Sequence, residues 1–133
     1  MFIRLTDADF NKALIEYKRF ILMVYFDEQQ DEEYWVKIKP TWSEESDRLL
    51  EAFGEVFPDV VFAESKLSEI RETLHGFNIS LDDLWDEQSK NYRPIIISID
   101  KGWISSTSYG KCYCSETLTE MIFDIYPELI PKQ

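Results

Sequence analysis

The sequence predicts an α/β fold in which helices cover both faces of a central mixed β-sheet. Residues 20–26, FILMVYF, are apolar without a period-two alternation, as expected of a central strand covered on both faces. Segments with apolar residues at helical spacing lie on either side of this run. Near the end of the chain, two strand-like runs flank Asp100, Lys101 and Gly102, which predicts an antiparallel hairpin.

The first element in this scheme is a helix that begins after Thr6. Threonine is a favoured N-cap residue, and acidic residues follow it in the first turn. Phe10, Leu14 and Tyr17 then recur at helical spacing, which predicts an amphipathic helix that leads into the apolar strand.

A second, longer helix is predicted between Trp42 and Pro58. Thr41 and Glu44 have the spacing of a capping box, in which each side chain accepts a hydrogen bond from the backbone of the other residue. Apolar residues recur at helical spacing as far as Phe57, and proline ends the segment.

The next strand and helix follow without a linker. Residues 59–64, DVVFAE, predict a strand. Leu67, Ile70 and Leu74 mark the apolar face of a helix, for which Gly76 is the expected C′ residue.

An acidic insertion at residues 78–92 is predicted to contain one short helix outside the core. Ser80 and Asp83 have capping-box spacing at its start. The hairpin follows, with predicted strands at residues 95–99 and 103–109.

The last helix is predicted from an apolar stripe with a capping box at its start and a proline stop. Thr117 and Glu120 form the capping-box pattern, and Pro127 ends the helix. The stripe consists of Leu118, Met121, Ile122 and Ile125. The whole chain, residues 1–133, is therefore expected to form a single domain.

The charge and composition exclude several classes of function. The 14 basic and 26 acidic residues give a net charge of −12, which repels nucleic acid and anionic lipid. Direct nucleic-acid binding is not expected; an acidic mimic of nucleic acid that inhibits a DNA-binding protein is an alternative. The first residues, Met1 to Arg4, are too short and polar a stretch to suggest a secretory signal, and no apolar run approaches the roughly 20 residues of a membrane helix. We expect a cytoplasmic protein without membrane association.

The order of the elements resembles the thioredoxin fold over nearly the whole chain. A buried strand, a helix that contains proline, a strand and helix, a hairpin opened by proline and a terminal helix follow one another as in that family. The positions that match are Phe26, Pro40, Gly76, Pro94 and Gly110. The insertion and the catalytic motif are the departures from the family pattern.

The family's Cys-Gly-Pro-Cys motif lies five residues before the helix proline. This chain has Glu32, Glu33, Tyr34 and Trp35 in those four places. The family's chemistry needs two thiols at a helix N-terminus, where the helix dipole lowers the pKa of the attacking cysteine. The resemblance therefore implies that the dithiol centre of this turn has been lost. We expect no cofactor, and a non-catalytic chain unless Cys112 and Cys114 supply a different thiol chemistry. The acidic turn is then a helix start or a contact surface.

Arg93-Pro94 resembles the cis-proline junction of thioredoxins, which lies beside the active turn and offers backbone groups to an extended peptide. Such strand addition needs no cysteine. The resemblance thus implies a protein or peptide partner, bound by Glu32, Glu33, Tyr34, Trp35, Arg93 and Pro94. The alternative is that Tyr34 and Trp35 only pack against the domain, because aromatic residues bury large areas.

Cys112 and Cys114 suggest a second function, an atypical thiol-disulfide oxidoreductase. A disulfide across one intervening residue closes a strained loop and is easily reduced. The alternative is that both cysteines are small buried residues. His75 and these thiols would offer three zinc ligands, but their separation in sequence and the lack of a Cys-x-x-Cys pair make us expect no metal site. His75 fits the C-terminal end of a helix, which favours a cation.

The remaining candidate groups are carboxylates and two tryptophans. The carboxylates show no pair with divergent environments and are expected on the surface; they are Glu32, Glu33, Asp82, Asp83, Asp86 and Glu87. Trp103 on the hairpin and Trp85 in the insertion belong either to an assembly surface or to the core. We therefore expect a non-catalytic interaction, scaffold or chaperone-like module, with the oxidoreductase and the acidic mimic as alternatives.

Overall fold

The computed structural model describes residues 2–25, 51–87, 91–92, 95–109 and 115–131. Several predictions concern residues outside these ranges. They include the start of the second helix at Thr41 and Glu44, the fold markers Phe26, Pro40 and Gly110, the acidic turn, Arg93-Pro94 with its expected cis bond, and Cys112 and Cys114.

The described strands form one five-stranded mixed sheet and one small ribbon. The sheet contains β1 (Phe2–Arg4), β2 (Arg19–Tyr25), β3 (Phe62–Lys66), β6 (Ile95–Asp100) and β7 (Trp103–Tyr109), in the order β1-β3-β2-β6-β7. β3 pairs parallel with β1 and β2, whereas β6 pairs antiparallel with β2 and β7. The ribbon joins β4 (Trp85–Asp86) to β5 (Asn91–Tyr92).

The helices lie on both sides of this sheet, as the sequence predicts. They are α1 (Asp7–Tyr17), the helical residues 51–56 of α2, α3 (Leu67–Gly76), α4 (Leu81–Leu84) and α5 (Ser115–Ile125), which is followed by a 3₁₀ turn at Pro127–Leu129. No helix of the described residues has the length and apolarity that crossing a membrane requires.

Among the described residues, two apolar clusters form the core, one on each face of the sheet. The face covered by α1, α3 and α4, here called the α1 face, buries Phe20, Leu22 and Val24 of β2. The opposite face, here called the α5 face, buries Ile21 and Met23 against α5 and the Phe53 side chain of α2. Strand β2 thus supplies both clusters, which explains why its sequence shows no polar alternation.

The hairpin between β6 and β7 agrees with its prediction. Lys101 and Gly102 both have positive φ angles, 56° and 82°, as a two-residue type I′ turn requires. The Lys101 N–H donates to the carbonyl of Lys18 at 2.8 Å, so the hairpin turn is fastened to the end of α1.

The second predicted strand is displaced by about three residues from its expected position. The sequence predicts residues 59–64, but the structure places β3 at Phe62–Lys66. The Val60 N–H donates to the Phe57 carbonyl at 3.1 Å, so the beginning of the predicted strand forms a turn after α2. Pairing of β2 with Ser65 and Lys66 extends the strand at its other end, a long-range effect that the local pattern does not contain.

The predicted C′ role of Gly76 is wrong. Gly76 is the last residue of α3, and the positive φ angle of 62° falls on Asn78. The N–H groups of Asn78 and Ile79 donate to the carbonyls of His75 and Leu74. Asparagine tolerates the left-handed conformation almost as glycine does, which allows the helix to end two residues later.

The predicted capping box at Thr117 does not start the last helix. Helix α5 already includes Ser115 and Glu116, so Thr117 lies inside its first turn. The predicted apolar stripe is confirmed, because its members are all buried on the α5 face; they are Leu118, Met121, Ile122 and Ile125.

The insertion is only partly as expected. Ser80 is the N-cap of α4, and its hydroxyl accepts a hydrogen bond from the Asp82 N–H at 3.2 Å, as its sequence position suggests. The expectation that the short helix lies outside the core is wrong, since Leu84 is 1% exposed and packs on the α1 face. The insertion also contains the β4–β5 ribbon, and neither this ribbon nor β1 is predicted from the sequence.

Candidate functional site

The strand ends that lead to the predicted site residues are neighbours at one edge of the sheet. Val24 of β2 is paired with Ile95, the first residue of β6, and Ile95 is paired with Tyr109, the last residue of β7. On the other side of β2, Tyr25 is paired with Lys66. We call this edge, defined by Tyr25, Lys66, Ile95 and Tyr109, the upper edge.

Three parts of the chain continue from the upper edge. Residue 26 follows Tyr25, residue 94 precedes Ile95 and residue 110 follows Tyr109. Neighbouring strands lie about 4.8 Å apart, so the three strand ends span only about 10 Å. The segments that contain the acidic turn and the proline junction therefore begin at neighbouring strand ends, and the proximity of the site residues themselves stays a prediction.

The predicted site residues themselves lie outside the described part of the chain. They are Glu32, Glu33, Tyr34, Trp35, Arg93 and Pro94, together with the redox candidates Cys112 and Cys114. The structure therefore locates the strands from which these segments continue, and the roles of the residues stay predictions.

His75 lies in the last turn of α3, as the sequence predicts. It is exposed and borders a groove of about 620 Å³ between the C-terminal end of α3 and the start of α4. The lining residues are Arg71, Glu72, His75, Asn78, Ile79 and Ser80. Within the described ranges, no group of three or more histidine, cysteine or acidic residues has the geometry to hold a metal ion.

The described carboxylates of the insertion lie on the surface, as predicted. Asp82, Asp83 and Glu87 are exposed, and Glu87 accepts a hydrogen bond from the indole N–H of Trp85 at 3.3 Å. The side chain of Asp86 is outside the described part of the chain.

A polar cluster fastens the end of α5 to the start of β2, at the end of the sheet opposite the upper edge. The Arg19 guanidinium donates to the Ile125 carbonyl at 3.1 Å and forms an ion pair with Glu128 at 2.6 Å. The same guanidinium lies 4.3 Å from the centre of the Tyr126 ring, a cation–π distance. The Tyr126 hydroxyl donates to the Arg19 carbonyl at 2.8 Å, and accepts from the Val61 N–H at 3.5 Å.

This environment shifts two titratable groups. Burial raises the pKa of Tyr126 above its ordinary value of 10.0, since the phenolate would lose solvation; the hydrogen bond from Val61 and the charge of Arg19 oppose the shift. The pKa of Glu128 lies below its ordinary value of 4.5, chiefly because its own backbone N–H stabilises the carboxylate, with help from Arg19. Both shifts move the pKa away from neutral pH, and the contacts of the cluster join the end of α5 to the start of β2.

A second polar contact joins α1 to α3. The Asp7 carboxylate accepts hydrogen bonds from the Thr73 backbone N–H at 2.8 Å and the Thr73 hydroxyl at 2.7 Å, and a longer one from the Glu72 N–H at 3.3 Å. The sequence places Asp7 in the first turn of a helix but contains no sign of its partners, which lie 65 and 66 residues further along the chain.

The outer strand β7 carries the most exposed tryptophan of the described chain. Trp103 is 78% exposed, which excludes the core alternative for this residue. A register shift between Ser98 and Ile99 marks a bulge in β7. There the Ser106 hydroxyl bonds to that of buried Ser98 at 2.6 Å, and the Ser105 hydroxyl donates to Asp124 of α5.

Comparisons with known proteins identify the architecture. No protein-family model and no curated protein sequence matches the chain. Solved structures do match. A thioredoxin of Fasciola hepatica is 21% identical, with a TM-score of 0.55 over 94% of this chain and 99% of that one. Thioredoxin f2 of Chlamydomonas reinhardtii is 15% identical, with a TM-score of 0.58 over 99% and 100%.

A third match is a chain from the complex of ferredoxin:thioredoxin reductase with thioredoxin f2, at 15% identity and a TM-score of 0.55 over 91% of both chains. At these identities the likeness concerns the fold. The five-stranded order, with helices on both faces, agrees with it. The chain therefore has a thioredoxin-like fold.

Proposed function

We propose that this chain is a non-catalytic interaction, scaffold or chaperone-like module that binds a protein or peptide at the upper edge. Its binding residues are those that the sequence resemblance implies, which are Glu32, Glu33, Tyr34, Trp35, Arg93 and Pro94. One observation carries the proposal: the ends of β2 and β6, from which these residues continue, are direct neighbours in the sheet.

The chemistry of the sequence supports binding rather than thiol exchange at this region. The chain contains two cysteines, and neither lies between residues 26 and 94. Carboxylates at a helix start are stabilised by the helix dipole, but they cannot exchange with a disulfide. Tyrosine, tryptophan and arginine are the residues most enriched among those that dominate binding energy at interfaces.

The test is capture of partners from the native host by the purified chain, read by quantitative mass spectrometry. The variant combines Tyr34→Ala, Trp35→Ala and Arg93→Ala. The control combines Phe2→Ala and Ile15→Ala, which remove exposed apolar side chains from β1 and α1. We expect the triple variant to lose specific partners by tenfold or more, because each central aromatic or arginine anchor contributes about 2 kcal/mol.

Retention of the same partners by the triple variant would contradict the proposal, provided that its circular dichroism spectrum is unchanged. Loss in both the triple variant and the control would equally count against a site at the upper edge. A salt titration separates groove binding from the acidic-mimic alternative, because an interface of exposed charges weakens steeply with ionic strength.

The atypical oxidoreductase is a second candidate, favoured by one specific observation. Tyr109 is paired with Ile95, so the segment that contains Cys112 and Cys114 begins at the upper edge. In the reaction, the two thiols would form one disulfide while a substrate disulfide is reduced to two thiols. Insulin reduction by dithiothreitol, measured with wild type and Cys112→Ser, tests it. Rate enhancement that disappears in the variant would support it, and no enhancement by wild type would reject it.

A further inference from the structure

Strand β7 forms an outer border of the five-stranded sheet. Its inner side pairs with β6, and no strand of the described residues pairs with its outer side. A border strand of this kind presents a row of backbone N–H and C=O groups that can pair with an additional strand.

The sequence of β7 does not protect this border. Its seven residues, WISSTSY, contain no charged residue and no proline, although 30% of the chain is charged. Charged side chains, proline and β-bulges are the usual devices that prevent strand addition at an edge, and β7 has only the last of these. The bulge near Ser105 bends the strand, but residues 106–109 are paired with β6 in regular antiparallel register. At least this half of the border has strand geometry suited to pairing.

Carboxylates flank β7 on the α5 face. Asp124 of α5 contacts the Ser105 hydroxyl, and Glu120 lies one turn earlier on the same helix with an exposed side chain. Asp100 is paired with Trp103 at the start of β7. Residues four apart on a helix, such as Glu120 and Asp124, are separated by about 6 Å along its axis. Alternate residues of a strand, whose side chains share a face, are separated by about 6.7 Å. Basic side chains at alternate positions of an added strand therefore match this spacing.

Trp103 lies on the same side of the sheet. Side chains alternate between the two faces along β6, so Asp100 lies on the same face as buried Ile96, which is the α5 face. Residues paired across two strands also share a face, so Trp103, the partner of Asp100, lies on the α5 face as well. An exposed indole ring beside carboxylates is suited to the planar arginine side chain, which stacks on aromatic rings and bonds carboxylates.

We propose that the outer border of β7 binds an extended basic segment of a partner protein as an added β-strand. Backbone hydrogen bonds hold the segment, and its arginine and lysine side chains at alternate positions lie on the α5 face near Trp103, Glu120 and Asp124. This surface runs along the outer side of β7 and meets the upper edge only at Tyr109. Its test uses none of the residues of the proposed function.

The charges favour this occupant over a second copy of the chain. If two copies paired through β7 about a two-fold axis perpendicular to the sheet, their α5 helices would lie on the same side of the joined sheet. Glu120 and Asp124 of both copies would then approach one another, between chains that each carry a net charge of −12. A basic strand replaces this repulsion by attraction.

The probe is a fluorescein-labelled ten-residue peptide in which arginine alternates with threonine, so that all arginines share one face of the strand. One control peptide has glutamate in place of arginine. A second keeps arginine but is N-methylated on its four central residues, which removes backbone donors on both sides. Fluorescence anisotropy measures affinity, and amide hydrogen exchange by NMR identifies the residues that become protected.

We expect the arginine peptide to bind and to protect amides of β7, and both control peptides to bind at least tenfold more weakly. Glu120→Gln with Asp124→Asn should weaken binding about fivefold, as for two exposed ion pairs. The matched control, Glu69→Gln with Asp82→Asn, makes the same change of net charge on α3 and α4 and should change affinity less than twofold. Trp103→Ala should weaken binding about threefold.

Four results would overturn the inference. They are no binding of the arginine peptide at about 1 mM, equal binding of the N-methylated peptide, equal loss of affinity in the matched control, and protection of β7 amides by self-association without peptide. Equal binding of the N-methylated peptide would show attraction without strand pairing, and equal loss in the control would show attraction to net charge alone.

Discussion

Replacing Leu84 by alanine tests whether the insertion belongs to the core. Leu84 is 1% exposed and packs with the α1-face cluster, although it follows two aspartates, Asp82 and Asp83, in a helix that the sequence places outside the core. The substitution removes three carbon groups, worth about 2.4 kcal/mol at about 0.8 kcal/mol each, and leaves a cavity that adds to this loss. We expect a total destabilisation of about 3 kcal/mol.

This free energy converts to a measurable shift of the melting temperature. With an unfolding entropy of about 2.1 cal/mol/K per residue, the 133 residues give about 0.28 kcal/mol/K, so that 3 kcal/mol lowers Tm by about 11 °C. Thermal unfolding followed by circular dichroism measures the shift. Asp82→Ala in the same helix is the control, and its exposed side chain should change stability by at most about 0.5 kcal/mol. A Tm of Leu84→Ala within 2 °C of wild type would refute the assignment of the insertion to the core.

Three further predictions concern polar contacts and backbone geometry. Asp7→Ala should lower the free energy of unfolding by about 2 kcal/mol in urea, because the N–H and hydroxyl of Thr73 lose their charged acceptor. Asp9→Ala loses only the exposed hydrogen bond from the Thr6 hydroxyl and should cost under about 1 kcal/mol. Equal effects of the two substitutions would contradict this role of Asp7. Gly102→Ala should destabilise by about 1 kcal/mol because φ is +82°. Gly54→Ala, in the helical residues 51–56, should stabilise by about 0.5 kcal/mol, since outside its own helix no atom of the described residues lies within 4 Å of the added carbon. The same sign of change in both variants would contradict this reasoning. Because the folded pKa of Tyr126 is raised, its contribution to stability is present below pH 10.0 and is lost as pH rises towards the folded pKa. Tyr126→Phe should therefore have a flatter stability curve above pH 10.0 in urea unfolding, and an unchanged slope would contradict the shift.

The elements with strong local patterns were predictable from the sequence. Phe10 is buried in α1 and Thr6 is its N-cap, and the hairpin turn falls on Lys101 and Gly102 as expected. Helical periodicity, capping residues and a two-residue turn are properties of neighbouring residues, so they are visible without knowledge of the fold.

The errors arose where distant residues decide the outcome. β1 has three residues and exists because β3 pairs with it, and β3 itself extends to Lys66 because β2 pairs with it. Leu84 stands in an acidic segment, and only packing against the α1 face shows that it is buried. Such contacts join residues far apart in the chain, and no local pattern encodes them.

The candidate site was predictable only as a region. The resemblance to thioredoxins relates the acidic turn to the proline junction. The pairing of Val24 with Ile95 shows only that the strands leading to these two segments are neighbours. The polar cluster at Tyr126 and the contacts of Asp7 were not predictable, because their partners lie more than 60 residues away in sequence. The uncharged sequence of β7 is visible in the chain itself, but only the strand order shows that this strand forms an outer border of the sheet.

By itself the sequence determined the type of most elements, the apolar faces of the helices and the strand β2 that is covered on both sides. It also determined that no Cys-x-x-Cys pair is present and that the chain is strongly acidic. The tertiary structure decided the strand order, the register, the burial of Leu84 and which strand forms the outer border beside α5. The physical reason is that helix periods and turns depend on residues within a few positions, whereas sheet pairing and burial depend on contacts between distant parts of the chain.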